Sequence, residues 1–268
     1  MTRSRSVLVA AVVGILVLIA GLVPQPVLDA QTAPAAPIRI RVQRTEVKPD
    51  MVQQWRMLIQ NEASPAQKKG GMAWRHTWAD GGPFGNSATF YTVSPVQNFA
   101  QFDSPNAIAR VLGADGVAKY AARLQPTIAS SRAWIEIFQP QSSIESGAKT
   151  PPAMVVLQTW QLLPGKGAEM TRLWQAEFMP VYRKAGVRDL WVYSAAFGAP
   201  MGEVTIVRPI GKYADLDARP GLLQRGGLTP DAAQLLQARR NALISSVTQT
   251  VLRYVPELSF GMPSRPTN

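Results

Sequence analysis

The sequence predicts an α+β fold built from two tandem β-α-β-β-α-β units behind a short apolar N-terminal segment. The first observation is a spacing that occurs twice: Gly70 and Thr89 are 19 positions apart, and so are Gly186 and Thr205. The second is a set of short segments that recur in the same order around these anchors. Phe99–Asp103 corresponds to Tyr213–Asp217, and Ser130-Ser131 corresponds to Ser245-Ser246. Ordered matches of this kind predict one structural unit repeated within residues 38–260.

The first unit, residues 38–140, starts with a strand at Ile38–Arg44, where apolar and polar residues alternate. A helix follows from its N-cap, Asp50, and ends at Lys68-Lys69-Gly70, where cations and a glycine suit the last turn. The remaining predicted elements are strands at Met72–Asp80 and Ser87–Val93, a helical zone at Ala107–Ser130 with a break near Gly113–Gly116, and a strand at Arg132–Phe138. This order is the ferredoxin-like motif.

The second unit, residues 153–260, repeats the order after a linker at 141–152 that is rich in Pro, Ser and Gly. Its helices and strands are predicted at Met154–Leu163, a helix ending at Arg183–Gly186, Leu190–Ala196, Glu203–Arg208, Asp231–Ser246 and Thr250–Val255. Residues 261–268 form a C-terminal tail. Each sheet carries helices on one face and leaves the other face bare, so we expect the two units to pack sheet to sheet.

The N-terminus is typical of an export signal. Arg3 and Arg5 precede an uncharged apolar run at Val7–Val23, and a small residue, Ala30, follows two helix-breaking prolines. We therefore predict a signal peptide at 1–30, a spacer at 31–37, and a periplasmic or secreted mature protein without stable membrane insertion. The alternative is an uncleaved segment that anchors the protein in the inner membrane, since 17 apolar residues approach the length of a bilayer span.

Composition excludes several classes of site. The chain has no cysteine, which removes disulfides, thiolate metal ligands and a cysteine nucleophile. It has one histidine and no acidic cluster, so we expect neither a metal nor a cofactor. The formal net charge of +11 comes from scattered Lys and Arg without a nucleic-acid-binding motif, and we expect no nucleic acid partner.

The helix at Trp174-Gln-Ala-Glu-Phe-Met-Pro-Val-Tyr-Arg-Lys-Ala-Gly186, followed by the strand at Leu190, resembles the dimeric α+β barrel superfamily. Its NIPSNAP-like, EthD-like and antibiotic-biosynthesis-monooxygenase branches are the most similar. The helix with Trp55, Pro65 and Gly70 is the counterpart in the first unit. The resemblance implies an intramolecular pseudo-dimer, as a monomer or with further self-association. The histidine that EthD-like proteins place before this proline is absent, because Ala63-Ser64 and Phe178-Met179 stand there. Neither second helix holds the histidine that ligates haem in haem-degrading relatives.

In this fold the sheet face away from the helices points into the barrel lumen. We expect Ile38, Ile40 and Val42 to face the helices, which turns Arg39 and Arg41 inward, close to Glu136 on the neighbouring strand. The candidate ligand-binding residues are Arg39, Arg41, Trp74, His76, Trp78, Trp134, Glu136, Trp191 and Tyr193. Glu136 and the arginines are either a ligand site or a satisfied internal ion pair.

Two functions remain open at this point. The first is an exported protein that binds a small apolar or anionic ligand, without a recognisable catalytic set. The second is a cofactor-independent monooxygenase or related small-molecule enzyme, which the family resemblance implies. No catalytic residue is assigned by the sequence.

Overall fold

The computed structural model describes residues 37–83 and 85–263. The predicted signal peptide at 1–30, the spacer up to residue 36 and the tail beyond residue 263 lie outside the described residues. Within the described part of the chain, no helix is both long enough and apolar enough to cross a bilayer.

The described residues form eight strands and seven α-helices. The strands are β1 (Arg39–Val47), β2 (His76–Asp80), β3 (Thr89–Val96), β4 (Ile128–Phe138), β5 (Met154–Leu162), β6 (Trp191–Phe197), β7 (Glu203–Ile210) and β8 (Ile244–Tyr254). The helices are α1 (Val52–Leu58), α2 (Ser64–Lys69), α3 (Ala107–Leu124), α4 (Gly167–Leu173), α5 (Met179–Lys184), α6 (Leu222–Arg225) and α7 (Pro230–Asn241). We call β1–β4 with their helices the first half and β5–β8 with theirs the second half.

The strands form one closed barrel in the order β1-β3-β2-β8-β5-β7-β6-β4, and all neighbours are antiparallel. Within each half the order is fourth, first, third and second strand, which is the ferredoxin-like order. The predicted α+β fold class is confirmed. The two sheets face each other and are also joined at both edges, because β2 pairs with β8 and β4 pairs with β6. Closure leaves no unpaired sheet edge.

The first helix of each half contains a π-helical segment at the same place. Ile59–Ala63 joins α1 to α2, and Trp174–Phe178 joins α4 to α5. Pro65 and Pro180 follow these segments within the first turn of α2 and α5. A proline in a helix has no N–H to donate and crowds the carbonyl of the fourth preceding residue, and a wider π turn accommodates both effects.

The second helix of each half ends earlier than predicted. α3 ends at Leu124 and α7 ends at Asn241, whereas the sequence pattern extended them to Ser130 and Ser246. The residues beyond belong to β4 and β8, where Ser130 pairs with Glu46 and Ser246 pairs with Gln161. Pairing with a long first strand overrides the weak helical preference of these segments. The predicted break in the first of these helices is present at Gly113, whose φ of 65° interrupts α3.

Each half has an apolar core between its sheet and its helices. In the first half the ring of Trp55 on α1 stacks on Phe90 of β3, with centroids 4.3 Å apart. In the second half Trp174 packs between Trp160 of β5 and Phe178. These cores fix the sheet face that the helices cover, and thereby the face that lines the lumen.

The segments that follow β4 and β8 cross to the opposite half. After β4, Ile144 exchanges two backbone hydrogen bonds of 2.8 Å with Leu190 and joins the second-half core. After β8, Phe260 exchanges two bonds of 2.8 Å with Arg75, and Leu258 joins the first-half core. We call residues 140–144 and 256–260 the crossing arms. The first of them includes the start of the segment predicted as a linker.

Candidate functional site

Strand register identifies the residues that line the lumen. Thr45 pairs with Phe90, whose ring lies under α1, so Arg41, Gln43 and Thr45 share the helix-facing side of β1. Ile40 is paired with Glu136 and Val42 with Trp134, which places these residues on the lumen side. The expectation that Arg39 and Arg41 point inward beside Glu136 is therefore wrong. In a barrel, one face of each strand is covered by helices and the other by the packed lumen. The alternation of polar and apolar residues therefore showed that Arg41 and Ile40 lie on opposite faces, but not which of them faces the lumen.

The aromatic candidates lie on the lumen side. Trp74, Trp134 and Tyr193 pack with Ile40 and Val42 in one cluster, and Trp78 packs in a second cluster with Val155 and Leu252. The ring of His76 lies between Trp74 and Tyr254, with centroid distances of 5.3 and 5.5 Å. His76 Nε2 is 3.0 Å from the carbonyl oxygen of Gly261. Burial lowers the pKa of His76. Trp191 is paired with Val207, a neighbour of the second cluster.

Glu136 is a buried carboxylate at the junction of the two halves. Its Oε1 accepts a hydrogen bond of 2.8 Å from Trp134 Nε1 and one of 2.7 Å from Thr205 Oγ1. Thr205 belongs to β7, so the second bond joins the halves. The salt bridges found in residues 37–83 and 85–263 do not include Glu136, which also corrects the expected ion pair with an arginine. Burial raises the pKa of Glu136 to about 6, and burial together with the charge of Glu136 raises the pKa of Tyr193.

The middle of the lumen is filled by side chains. The cluster around Trp78 takes residues from both sheets, including Tyr91 and Val93 of the first half and Leu157 and Val207 of the second. Two cavities in the described residues lie elsewhere, against the outer surface of the barrel. The part of the chain that the structure describes contains no group of three or more His, Asp or Glu side chains arranged to hold a metal ion.

One of these cavities contains Arg41. It has a volume of about 320 Å³ and is lined by Arg41, Phe99, Phe102, Ala133, Trp134, Ile135, Phe197 and Gly198. We call it the phenylalanine cavity. Its three phenylalanines are unusually exposed for their size, at 41% for Phe99, 50% for Phe102 and 62% for Phe197. The rings of Phe99 and Phe197 meet edge to face at 5.2 Å, and the Arg39 guanidinium lies 5.3 Å from the centre of the Phe99 ring.

A second arginine lies behind Arg41 under the helices. Arg75 is 4% exposed, and its Nη1 donates a hydrogen bond of 2.8 Å to Gln67 Oε1, while its buried Nε has no partner. Burial, together with the positive charge of Arg41, lowers the pKa of Arg75 to about 10 against an opposing effect of Tyr120. Burial also lowers the pKa of Arg41. Neither arginine takes part in a salt bridge among residues 37–83 and 85–263.

The second half has apolar residues at the corresponding positions. Arg75 and Leu190 each precede the second strand of their half and each bridge to a crossing arm. Arg41 pairs with Ser94 of β3, and in the same register Val156 pairs with Arg208 of β7. Leu190 and Val156 are buried core residues. The paired cations beneath the helices are therefore a property of the first half rather than a requirement of the fold.

The sequence reasoning missed Arg75 and the three phenylalanines. Arg75 lies between Trp74 and His76, so alternation places it on the face opposite to them, and Arg41 shares that face. Phe99 and Phe102 were noticed as anchors of the repeat. Phe197, whose ring packs on Phe99, comes from the second half, and this contact was not predictable from local pattern.

No protein-family model matches the chain, and no curated protein sequence matches it. Solved structures do match its fold. An anthrone oxidase-like protein has a TM-score of 0.56 at 12% identity over 82% of this chain and 91% of that one. A candidate monooxygenase from Fusobacterium nucleatum has a TM-score of 0.54 at 9% identity over 82% and 93%. A candidate monooxygenase from Lactobacillus acidophilus has a TM-score of 0.52 at 9% identity over 85% and 98%. These likenesses, together with the closed eight-stranded sheet, show that the chain has the dimeric α+β barrel fold.

Proposed function

We propose that this protein binds a small aromatic carboxylate, or an anion of similar shape, in the phenylalanine cavity. The observation that carries the proposal is the pair of partly or fully buried guanidinium groups, Arg41 and Arg75, without a carboxylate partner among the described residues. An uncompensated buried charge is costly, and an anion next to Arg41 offsets that cost. The charge of Arg75 adds to the attraction without direct contact.

The rest of the cavity suits the apolar part of such a ligand. Phe99, Phe102 and Phe197 present ring surface that is exposed in the free protein, and Ala133 and Ile135 line the cavity with them. Aromatic groups prefer offset or edge-to-face contact with such rings. A ligand pocket of this type combines apolar walls with a few placed polar groups.

The cellular setting and ancestry belong to the same proposal. The basic N-terminal segment with its apolar run supports export to the periplasm or secretion, with an uncleaved membrane anchor as the alternative. The strand order and the π-helical segment that recur in both halves support an origin by tandem duplication within the NIPSNAP-like or EthD-like branches. The closed barrel satisfies its own sheet edges, which favours a monomer as the basic unit.

A second candidate is a cofactor-independent oxygenase. It is favoured by the buried carboxylate of Glu136, which burial makes a stronger proton acceptor than an exposed carboxylate, and which lies among the aromatic rings of the lumen. The similar structures named as monooxygenases point the same way by analogy of fold. This function requires the packed lumen to open for a substrate.

Calorimetric titration of the full chain with 1-naphthoate tests the main proposal. We expect saturable binding that the neutral isostere 1-naphthamide lacks. Arg41→Gln should weaken naphthoate binding by about 10- to 100-fold, corresponding to the loss of a charge-assisted hydrogen bond of about 1.5–3 kcal/mol. The fold should tolerate this change, since it removes one of two mutually repelling charges.

Arg44→Gln is the matched control, because Arg44 lies on the same strand and is paired with Glu46 outside the cavity. Its binding should equal that of the unmodified protein. Equal affinities for naphthoate and naphthamide, or an Arg41→Gln protein that binds normally, would contradict the proposal. Oxygen uptake with anthrone-like or polyphenolic substrates, lost in a Trp74 or His76 variant, would favour the enzyme.

A further inference from the structure

The second half has a cavity of its own with a different lining. Its volume is about 460 Å³, and it lies where β5 begins and β7 ends. Pro152, Ala153, Pro209, Ile210 and Ala218 form saturated apolar walls, without the aromatic rings of the phenylalanine cavity. Its polar side chains are Arg208, Arg225 and Asp215.

The two arginines leave this cavity with an excess of positive charge. Neither Arg208 nor Arg225 occurs in the salt bridges of the described residues. Burial lowers the pKa of Arg208, and the charge of Arg225 acts in the same direction, against opposing effects of Tyr182 and Asp215. Asp215 is near Arg208, but its Oδ2 already accepts backbone hydrogen bonds of 2.8 Å from Gly211 N and 3.1 Å from Lys212 N. The acid is thus engaged in holding the loop after β7.

This cavity is not the repeat of the first one. Arg208 pairs with Val156 on the β5–β7 ladder, where the first half has Ser94 paired with Arg41. The first half therefore carries its cation on the first strand, and the second half carries it on the third. The walls also differ in chemistry. Two sites that differ in both cation position and wall type are expected to select different anions.

We infer that the second-half cavity is a separate binding site for a short aliphatic carboxylate, with its head group on Arg208 and its chain against the proline and isoleucine walls. Arg208 lies half-buried at the sheet, so the carboxylate meets a guanidinium that is partly shielded from water, where a charge-assisted hydrogen bond is strongest. The exposed Arg225 attracts the anion at the rim. Proline and aliphatic walls make apolar contact with a saturated chain.

Titration of the full chain with hexanoate, followed by backbone amide resonances of Ala153 and Gly211 in NMR spectra, tests this site. We expect saturable shifts that hexanamide does not produce. Arg208→Gln should weaken hexanoate binding at least tenfold. Arg225→Gln, which alters an exposed side chain and leaves the fold intact, should weaken it a few-fold and reduce its dependence on salt.

Two controls separate this inference from the proposed function. Arg41→Gln should leave the hexanoate shifts unchanged although it weakens naphthoate binding. Arg172→Gln, at an exposed position on α4, should change the binding of neither ligand. Shifts of equal size with hexanamide would overturn the site, as would hexanoate binding unaffected by both Arg208→Gln and Arg225→Gln. Hexanoate binding that is lost in Arg41→Gln instead would assign the ligand to the phenylalanine cavity.

Discussion

Glu136 is a carboxyl group that folding removes from water and leaves without a cation partner among the described residues. Two neutral donors, Trp134 and Thr205, hold it, and burial raises its pKa from an ordinary 4.5 to about 6. A raised pKa means that the folded protein binds this proton more tightly than the unfolded chain does. The contribution to stability is therefore fully present below pH 4.5 and is lost as the pH rises through about 6.

We predict that Glu136→Gln removes this pH dependence. Between pH 4 and pH 7.5 the unfolding free energy of the variant should rise by about 2 kcal/mol relative to that of the unmodified protein, which corresponds to a pKa raised from 4.5 to about 6. Urea unfolding at several pH values measures it. Glu169→Gln is the control, because Lys166 lowers the pKa of Glu169 and any effect should have the opposite sign. A constant difference across this range would show that Glu136 titrates normally.

For single residues, the sequence predicted correctly which side chains share a face of a strand, but not which face lines the lumen. Alternation separated Arg39 and Arg41 from Ile40 and Val42 correctly. The choice of side then followed the ordinary rule that apolar residues face helices. In this barrel the lumen is apolar as well, and the pairing of Ile40 with Glu136 reverses that choice. Glu136 itself was assigned to the correct face, but with the wrong partner.

At the scale of elements, the contact between α2 and α3 depends on a glycine. Gly70 caps the C-terminus of α2 with a φ of −78°, which any residue can adopt. The backbone conformation therefore does not require a glycine at this position. A Cβ added there would lie 2.2 Å from the carbonyl oxygen of Ala107, a backbone atom at the start of α3. The backbone of one helix end thus approaches the other more closely than any side chain permits.

We predict that Gly70→Ala destabilises the protein by about 1–3 kcal/mol, the usual cost of overpacking. The same substitution at Gly167, the first residue of α4, has free space around its Cβ. It should stabilise by up to about 1 kcal/mol, because alanine is the better helix former. Thermal unfolding should show changes in stability of opposite sign for the two variants. A neutral Gly70→Ala would mean that α3 shifts without cost.

The sequence predicted which segments form helices and strands better than it predicted where each of them ends. Pro65 and Pro180 were visible as late prolines in two matching helices, but the π turns before them depend on how each helix packs on its sheet. The ends of α3 and α7 were placed too late, because Ser130 and Ser246 gain their strand conformation from partners more than 80 positions away in the chain, Glu46 and Gln161. Such pairing leaves no local signal.

For the whole molecule, the sequence predicted two sheets facing each other and did not predict how they are joined. The junctions are the β2–β8 and β4–β6 pairs and the two crossing arms. Each depends on contacts between distant segments that have no motif of their own. Each arm packs in the core of the opposite half: Ile144 lies in the second-half core, and Leu258 lies in the first-half core. Neither half has a complete core without the other.

Exchange of the arms predicts that the two halves unfold together. Leu258 is 0% exposed in the first-half core although it follows the last strand of the second half. Leu258→Ala should therefore cost about 2–5 kcal/mol, the usual range for a buried leucine, and should lower the midpoint of one shared calorimetric transition. Leu235→Ala, at a position that is 64% exposed on α7, should change stability by less than about 0.5 kcal/mol. A first-half core that contains a residue from the second half cannot unfold while the second half stays intact, so we expect one transition. Two transitions, of which Leu258→Ala shifts only one, would instead show that the halves unfold independently.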